Sequence, residues 1–173
     1  MESAIASSSR TAAIPEQLES LWENSARIRV AMLTVIGVDG SLASRPMMTC
    51  EIDPAGTLWF FLADDGALAR SVSRDARVSV TYADPDDGWF ASISGTAQII
   101  HDDAMARALW EPAFSAWFQG GAADPQLGLL RVTVRHAEYW KAAGKVGQLF
   151  AFAKAALLQT RPHDIAEHHT IDL

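Results

Sequence analysis

The chain has 173 residues, a formal charge of −7 and a pI near 5.1, with 49% hydrophobic and 20% charged residues. That length, with no Gly/Ser- or Pro-rich linker inside it, predicts one domain able to bury roughly 70% of the surface its unfolded chain exposes. The composition excludes a disordered or collagen-like chain, and the acidic balance excludes nucleic acid as the main partner, since phosphate backbones need a concentrated basic face.

Residues 1–14 are Ser/Ala-rich without a continuous apolar run and are expected to form a flexible tail rather than a signal peptide. Pro15 and the acidic Glu16 and Glu19 open a helix near 15–26, with Leu18, Leu21 and Trp22 on one face. The β-branched run Val30 to Ile36 stops at Asp39-Gly40, a hairpin signal, so strands near 29–37 and 41–52 pair antiparallel. After the turn at Asp53 to Gly56, Leu58-Trp59-Phe60-Phe61-Leu62 reads as a third strand. A short Ala/Leu/Arg-rich helix at 66–74 follows, then a fourth strand around Val78, Val80 and Tyr82.

Beyond the turn Asp84 to Gly88, Ala91, Ile93, Gly95, Ala97 and Ile99 alternate with polar residues in a fifth strand. Asp102 and Asp103 suit the start of a helix carrying Met105, Leu109 and Trp110, and Pro112 precedes Phe114, Trp117 and Phe118. Leu130, Val132 and Val134 make a sixth strand running toward Trp140. Val146, Leu149, Phe150, Ala153 and Leu157 repeat at helical spacing over 146–158, and residues 161–173 read as a polar C-terminal tail. Six strands joined by short turns predict an antiparallel meander or barrel with helices outside it, and both faces of 30–36 and 58–62 are apolar.

The apolar runs are too short to span a membrane, and Cys50, alone, excludes an internal disulfide and fits a reducing, cytoplasmic setting. Its neighbours supply no thiolate stabilisation, so a buried, inert thiol is expected. The dinucleotide glycine fingerprint, the phosphate loop, the zinc helix and the nucleophile elbow are all absent from the sequence. Gly144-Lys145-Val146-Gly147 has the wrong spacing for a phosphate loop and no hydroxyl after its lysine. His163, His168 and His169 lie in the polar C-terminal segment without a convergent ligand set, so no metal site is expected.

The order of segments is more informative. Ser44-Arg45-Pro46-Met47-Met48 stands on the second strand, followed by the aromatic third strand and then Ser92-Ile93-Ser94-Gly95-Thr96-Ala97. Leu109-Trp110, Trp117-Phe118 and Ala137-Glu138-Tyr139-Trp140-Lys141 come next. Over residues 16–160 this order resembles the general stress protein 26 class of the pyridoxamine 5'-phosphate oxidase-like, FMN-binding split barrels. The resemblance implies a mainly β chain with flanking helices, a six-stranded antiparallel split barrel over 15–160. It further implies a homodimer with two equivalent flavin sites between its subunits.

In that family the Arg45 position meets the FMN phosphate and the strand backbone at Met47, Met48 and Thr49 lies along the isoalloxazine ring. The cofactor-binding set carried over is Arg45, Pro46, Met47, Met48, Thr49, Phe60, Phe61, Leu62, Arg70, Trp110 and Trp140. Leu62, Gly66 and Leu68 stand where the family commonly carries Thr, Ser and Lys, and Arg70 is the candidate replacement cation. Read singly, Arg45 is equally an ordinary strand arginine, and Trp110, Trp117 and Trp140 are equally anchors of a subunit interface. The expected function is that of an FMN-binding general-stress-type protein, with FAD as a second cofactor candidate and flavin hydride chemistry as the expected activity. The alternative is a ligand-binding stress protein without turnover, its FMN binding weakened or lost. No residue is singled out as a general acid or base.

Overall fold

The computed structural model describes residues 16–53, 55–142 and 166–172. The chain forms α1 (Glu16–Ile28), β1 (Val30–Ile36), β2 (Leu42–Ile52), β3 (Leu58–Ala63), α2 (Ala67–Arg74), β4 (Arg77–Asp84) and β5 (Trp89–Ile100). α3 (Asp103–Leu109), two 3-10 turns (Pro112–Ala116 and Gly121–Ala123), β6 (Leu127–Ala142) and β7 (Ala166–Asp172) complete it. All the strand pairs are antiparallel, in the order β3-β2-β1-β4-β5-β6-β7. An additional β3–β6 pairing closes the first six strands into a barrel, as the segment order implies.

The barrel closes because β6 is long. Its first half, Leu127 to Val132, pairs with β3, while its second half, His136 to Ala142, pairs with β7. β7 is a correction to the sequence reading, which left 161–173 as a tail; pairing with the open edge of β6 makes a strand of polar residues that would not form one alone. The helix expected at 146–158 lies outside the described residues.

Period-2 alternation decides which side chains enter the barrel. Leu33, Leu58, Phe60, Leu62, Val80, Tyr82, Ile93, Leu130 and Val132 fill it, and Leu21 of α1 belongs to the same cluster. The opposite face of β3 is also buried, so Trp59 and Phe61 join Ala106, Phe114, Phe118 and Leu129 in a second, outer cluster. A strand apolar on both faces therefore has a cover on each. At the β5 bulge Gly95 lies against β6, where a Cβ would stand 2.2 Å from the Thr133 carbonyl oxygen, so no other residue fits there. α1 ends with Arg29 in the left-handed region at φ 62°, its N–H donating to the Ser25 carbonyl at 3.3 Å.

Candidate functional site

β2 and β3 part company along their length. They pair at Thr49 with Phe60 and again from Glu51, across a register shift, but Leu42 to Met48 pairs only with β1 and Phe61 to Ala63 only with β6. Between the separated stretches lies a cleft of about 460 Å³, within the usual range for small-molecule sites. Arg45, Pro46, Met47 and Met48 form one wall and Phe61, Leu62 and Ala63 the other, with Gly66 and Leu68 at the start of α2. Phe114, Trp117 and Phe118 line it as well, and so does Val30.

The free edge of β2 has a defined polarity. The Thr49 N–H donates to the Arg29 carbonyl at 2.7 Å, so in the β1–β2 register the backbone groups of 49, 47 and 45 turn toward β1. Those of Met48 and Ser44, with the carbonyl of Pro46, turn the other way, toward the separated strand. Pro46 has no N–H to offer and occupies a position where the β1 ladder needs none.

Arg45 is half-buried, and no described residue gives its guanidinium a hydrogen bond or an ion pair. Among the described residues it is the only ionisable side chain lining the cleft. Opposite it the floor is aromatic: Phe61 meets Phe114 edge-on at 4.8 Å, with Phe118 at 6.3 Å, and Trp110 stands behind at 5.7 Å. The loop bearing these rings is tied to the start of β1 by Arg29 Nη2 and Glu111 Oε2 at 2.7 Å.

Six of the eleven residues singled out from the sequence thus line one cleft: Arg45, Pro46, Met47, Met48, Phe61 and Leu62. The other five lie elsewhere. Thr49 turns into the barrel, where its hydroxyl meets that of Tyr82 at 2.7 Å, and burial pushes the Tyr82 hydroxyl pKa up. Phe60, one residue from Phe61, falls on the interior face by alternation. Arg70 sits on the exposed side of α2 and donates to the Asp65 carbonyl at 2.6 Å. Trp110 supports Phe61 and Phe114 from behind, and Trp140 lies on the second half of β6, stacked on His168 at 5.1 Å.

Val30, Ala63, Phe114 and Phe118 also line the cleft without having been assigned to it. The close spacing of Phe114, Trp117 and Phe118 was the available signal. Cys50, on the outer face of β2, is buried enough for its thiol pKa to be pushed up to about 12. Among the described residues no group of three His, Cys, Asp or Glu side chains is placed to hold a metal ion.

The strand-split barrel is a fold shared with known proteins. The family model described as pyridoxamine 5'-phosphate oxidase like matches residues 16–163, and the chain belongs to that family. Within it the chain is a general stress protein 26-like member. A candidate general stress protein 26 of Jannaschia sp. CCS1 superposes over 92% of this chain and 100% of its own with a TM-score of 0.74 at 26% identity. The general stress FMN/FAD binding protein of Xanthomonas citri is 37% identical, covers 74% of this chain and 90% of its own, and has a TM-score of 0.64. Protein bli-3 of Neurospora crassa is 29% identical over 109 residues, 58% of this chain and 52% of that protein, so the chain spans about half the length of this curated relative.

Proposed function

We propose that the β2–β3 cleft binds a flavin and that the protein works as a homodimeric, cytoplasmic flavoprotein of the general stress type. The observation that carries this reading is the convergence, in one cleft, of an unpaired guanidinium, a free strand edge and an aromatic floor. The donor set fits the cofactor. Arg45 would bind phosphate oxygens through its planar fork, and the backbone groups of Met48 and Ser44 offer hydrogen bonds to a flat heterocycle. Phe61, Phe114 and Phe118 would exclude water from one side of the ring, with Trp117 at the rim.

A bound flavin supplies hydride transfer, and the chain supplies binding, orientation and a dry surface. Among the described residues, no lining side chain other than Arg45 is ionisable. That observation favours, as a second reading, a protein that holds flavin without turning over a substrate. The homodimer is supported by apolar surface on the outside of the barrel. Val30 on β1 is 49% exposed, Met32 43%, Leu42 on β2 77% and Phe90 on β5 40%. Exposed apolar side chains on strands are the kind of surface a second copy covers.

The test is the absorbance spectrum of the purified protein after incubation with FMN or FAD and desalting, with sedimentation to give the mass and NADH or NADPH oxidation to give turnover. Retained flavin bands with turnover support the oxidoreductase, retained bands without it support the binding protein, and a colourless desalted protein overturns both.

A further inference from the structure

The walls of the cleft are held unequally. Val30 and Arg45 to Met48 stand on the β1–β2 ladder, Phe61 to Ala63 on the β3–β6 ladder and Leu68 on α2. Phe114, Trp117 and Phe118 stand instead on residues 111–123, whose own hydrogen bonds run to one another and to Asp124. Among the described residues, the contact of Arg29 Nη2 with Glu111 Oε2 at 2.7 Å is the single hydrogen bond or ion pair that ties this segment to another part of the chain. Glu111 directly precedes the 3-10 turn Pro112–Ala116, and its carboxylate makes no cap to that turn. Side chains three apart on such a turn eclipse, so holding Glu111 also fixes Phe114, which meets Phe61 edge-on at 4.8 Å. Arg29 itself is the one described non-glycine residue at positive φ, 62°, a conformation unfavourable for an L side chain and free to glycine. The arginine held there reaches Glu111 and lies 3.9 Å from the sulfur of Met48, a residue of the opposite wall.

We propose that Arg29 and Glu111 are positioning residues that latch a movable wall of the cleft. With the pair closed, residues 111–123 hold Phe114 and Phe118 against Phe61; with it open, the segment swings out and admits a flat ligand past Trp117. The identity of that ligand rests on the flavin reading above, whereas the latch does not. The buried rings Phe114 and Phe118 keep the open state rare, so entry and release both wait on opening. The ion pair sets how often opening occurs. Its side chains are 46% and 45% exposed, so it favours the closed state by roughly 1.5- to 5-fold, the range of a solvent-screened pair. The other walls cannot yield in this way, because moving them breaks strand ladders or helix α2.

The experiment is hydrogen exchange of the full chain, read at the Phe114, Trp117 and Phe118 amides, beside stopped-flow kinetics of FMN binding and release. Glu111→Ala removes one partner of the pair, and Arg29→Gly removes the other while suiting φ 62°, so the latch is lost without added backbone strain. Each variant quickens exchange of those amides by about 1.5- to 5-fold, and the double variant does so no more than either alone. FMN association and release quicken by the same factor, which leaves the equilibrium affinity unchanged, and Arg29→Lys restores part of the slow exchange. A pair with a merely structural role lowers the midpoint of unfolding and leaves the FMN rates alone, and a segment that opens without admitting ligand quickens the amides alone. Either result, or unchanged exchange in both single variants, overturns the proposal. Failure of FMN to bind the natural chain overturns the flavin reading instead, and the exchange factors then decide the latch by themselves.

Discussion

Replacing Phe61 by alanine tests whether the aromatic floor is a real second core or a loose lining. Phe61 is 5% exposed and touches three rings, Phe114 edge-on at 4.8 Å, Trp110 at 5.7 Å and Phe118 at 6.3 Å. Removing a buried phenylalanine costs about 3–5 kcal/mol, and ring-on-ring geometry adds about 0.5–1.5 kcal/mol per pair, part of it already inside the first figure. The expected loss is about 4 kcal/mol. For a chain of this size that is a fall in Tm of about 8–16 °C, readable by thermal and urea unfolding followed by circular dichroism. Trp117→Ala is the control, because Trp117 lies at the rim, 65% exposed, and its loss costs within about 0.5 kcal/mol. A Phe61→Ala loss under about 1 kcal/mol, or a Trp117→Ala loss equal to it, would refute the two-core reasoning.

Tyr82→Phe removes the partner of the Thr49 hydroxyl inside the barrel and costs about 1–3 kcal/mol in urea unfolding, whereas adding Thr49→Val costs less than the sum of the two changes. Cys50, its thiol pKa pushed up to about 12 by burial, stays unlabelled by iodoacetamide at neutral pH in the native protein and reacts once urea unfolds it. His136 has its pKa raised by hydrogen bonds to Asp172, at 2.6 Å, and to Glu138, at 3.2 Å. A raised folded-state pKa means the stabilisation is complete below the unfolded value, near 6.5, and fades as pH rises through the folded value. Hydrogen exchange of the β7 amides, corrected for its intrinsic pH dependence, therefore quickens across that alkaline step, and His136→Gln abolishes the step.

Local pattern reveals most of the barrel. β1, β4 and β5 alternate apolar with polar or small residues and are bounded by Asp-Gly and Asp-Pro turns, so their period and ends are written in adjacent residues. β7 is different: Glu167, His168, His169 and Thr170 have no strand signature, and only the open half of β6 makes them one. The split has the same character. Nothing in Leu42 to Met48 says that these residues lose β3 as a neighbour, because that follows from β3 pairing with β6 at distant positions.

The near wall, Arg45 to Met48, came from the family resemblance rather than from the residues themselves, whereas alternation along β3 would have separated Phe60 from Phe61. Trp140 does not reach the cleft of its own chain, for a physical reason. It stands on the half of β6 that serves β7, which residue type does not disclose. Phe114 and Phe118 reach the cleft through a 3-10 turn after Pro112, a tertiary placement that the spacing of aromatics only outlines.

The most direct test of the account is a flavin titration of Arg45→Gln beside the natural chain, with circular dichroism confirming that both are folded. Among the described residues Arg45 has no hydrogen bond or ion pair, so its loss is expected to leave stability nearly unchanged while weakening binding of the phosphorylated flavins by roughly 10- to 150-fold, and leaving riboflavin nearly unaffected. Undiminished FMN and FAD affinity in Arg45→Gln would contradict the assignment of this cleft.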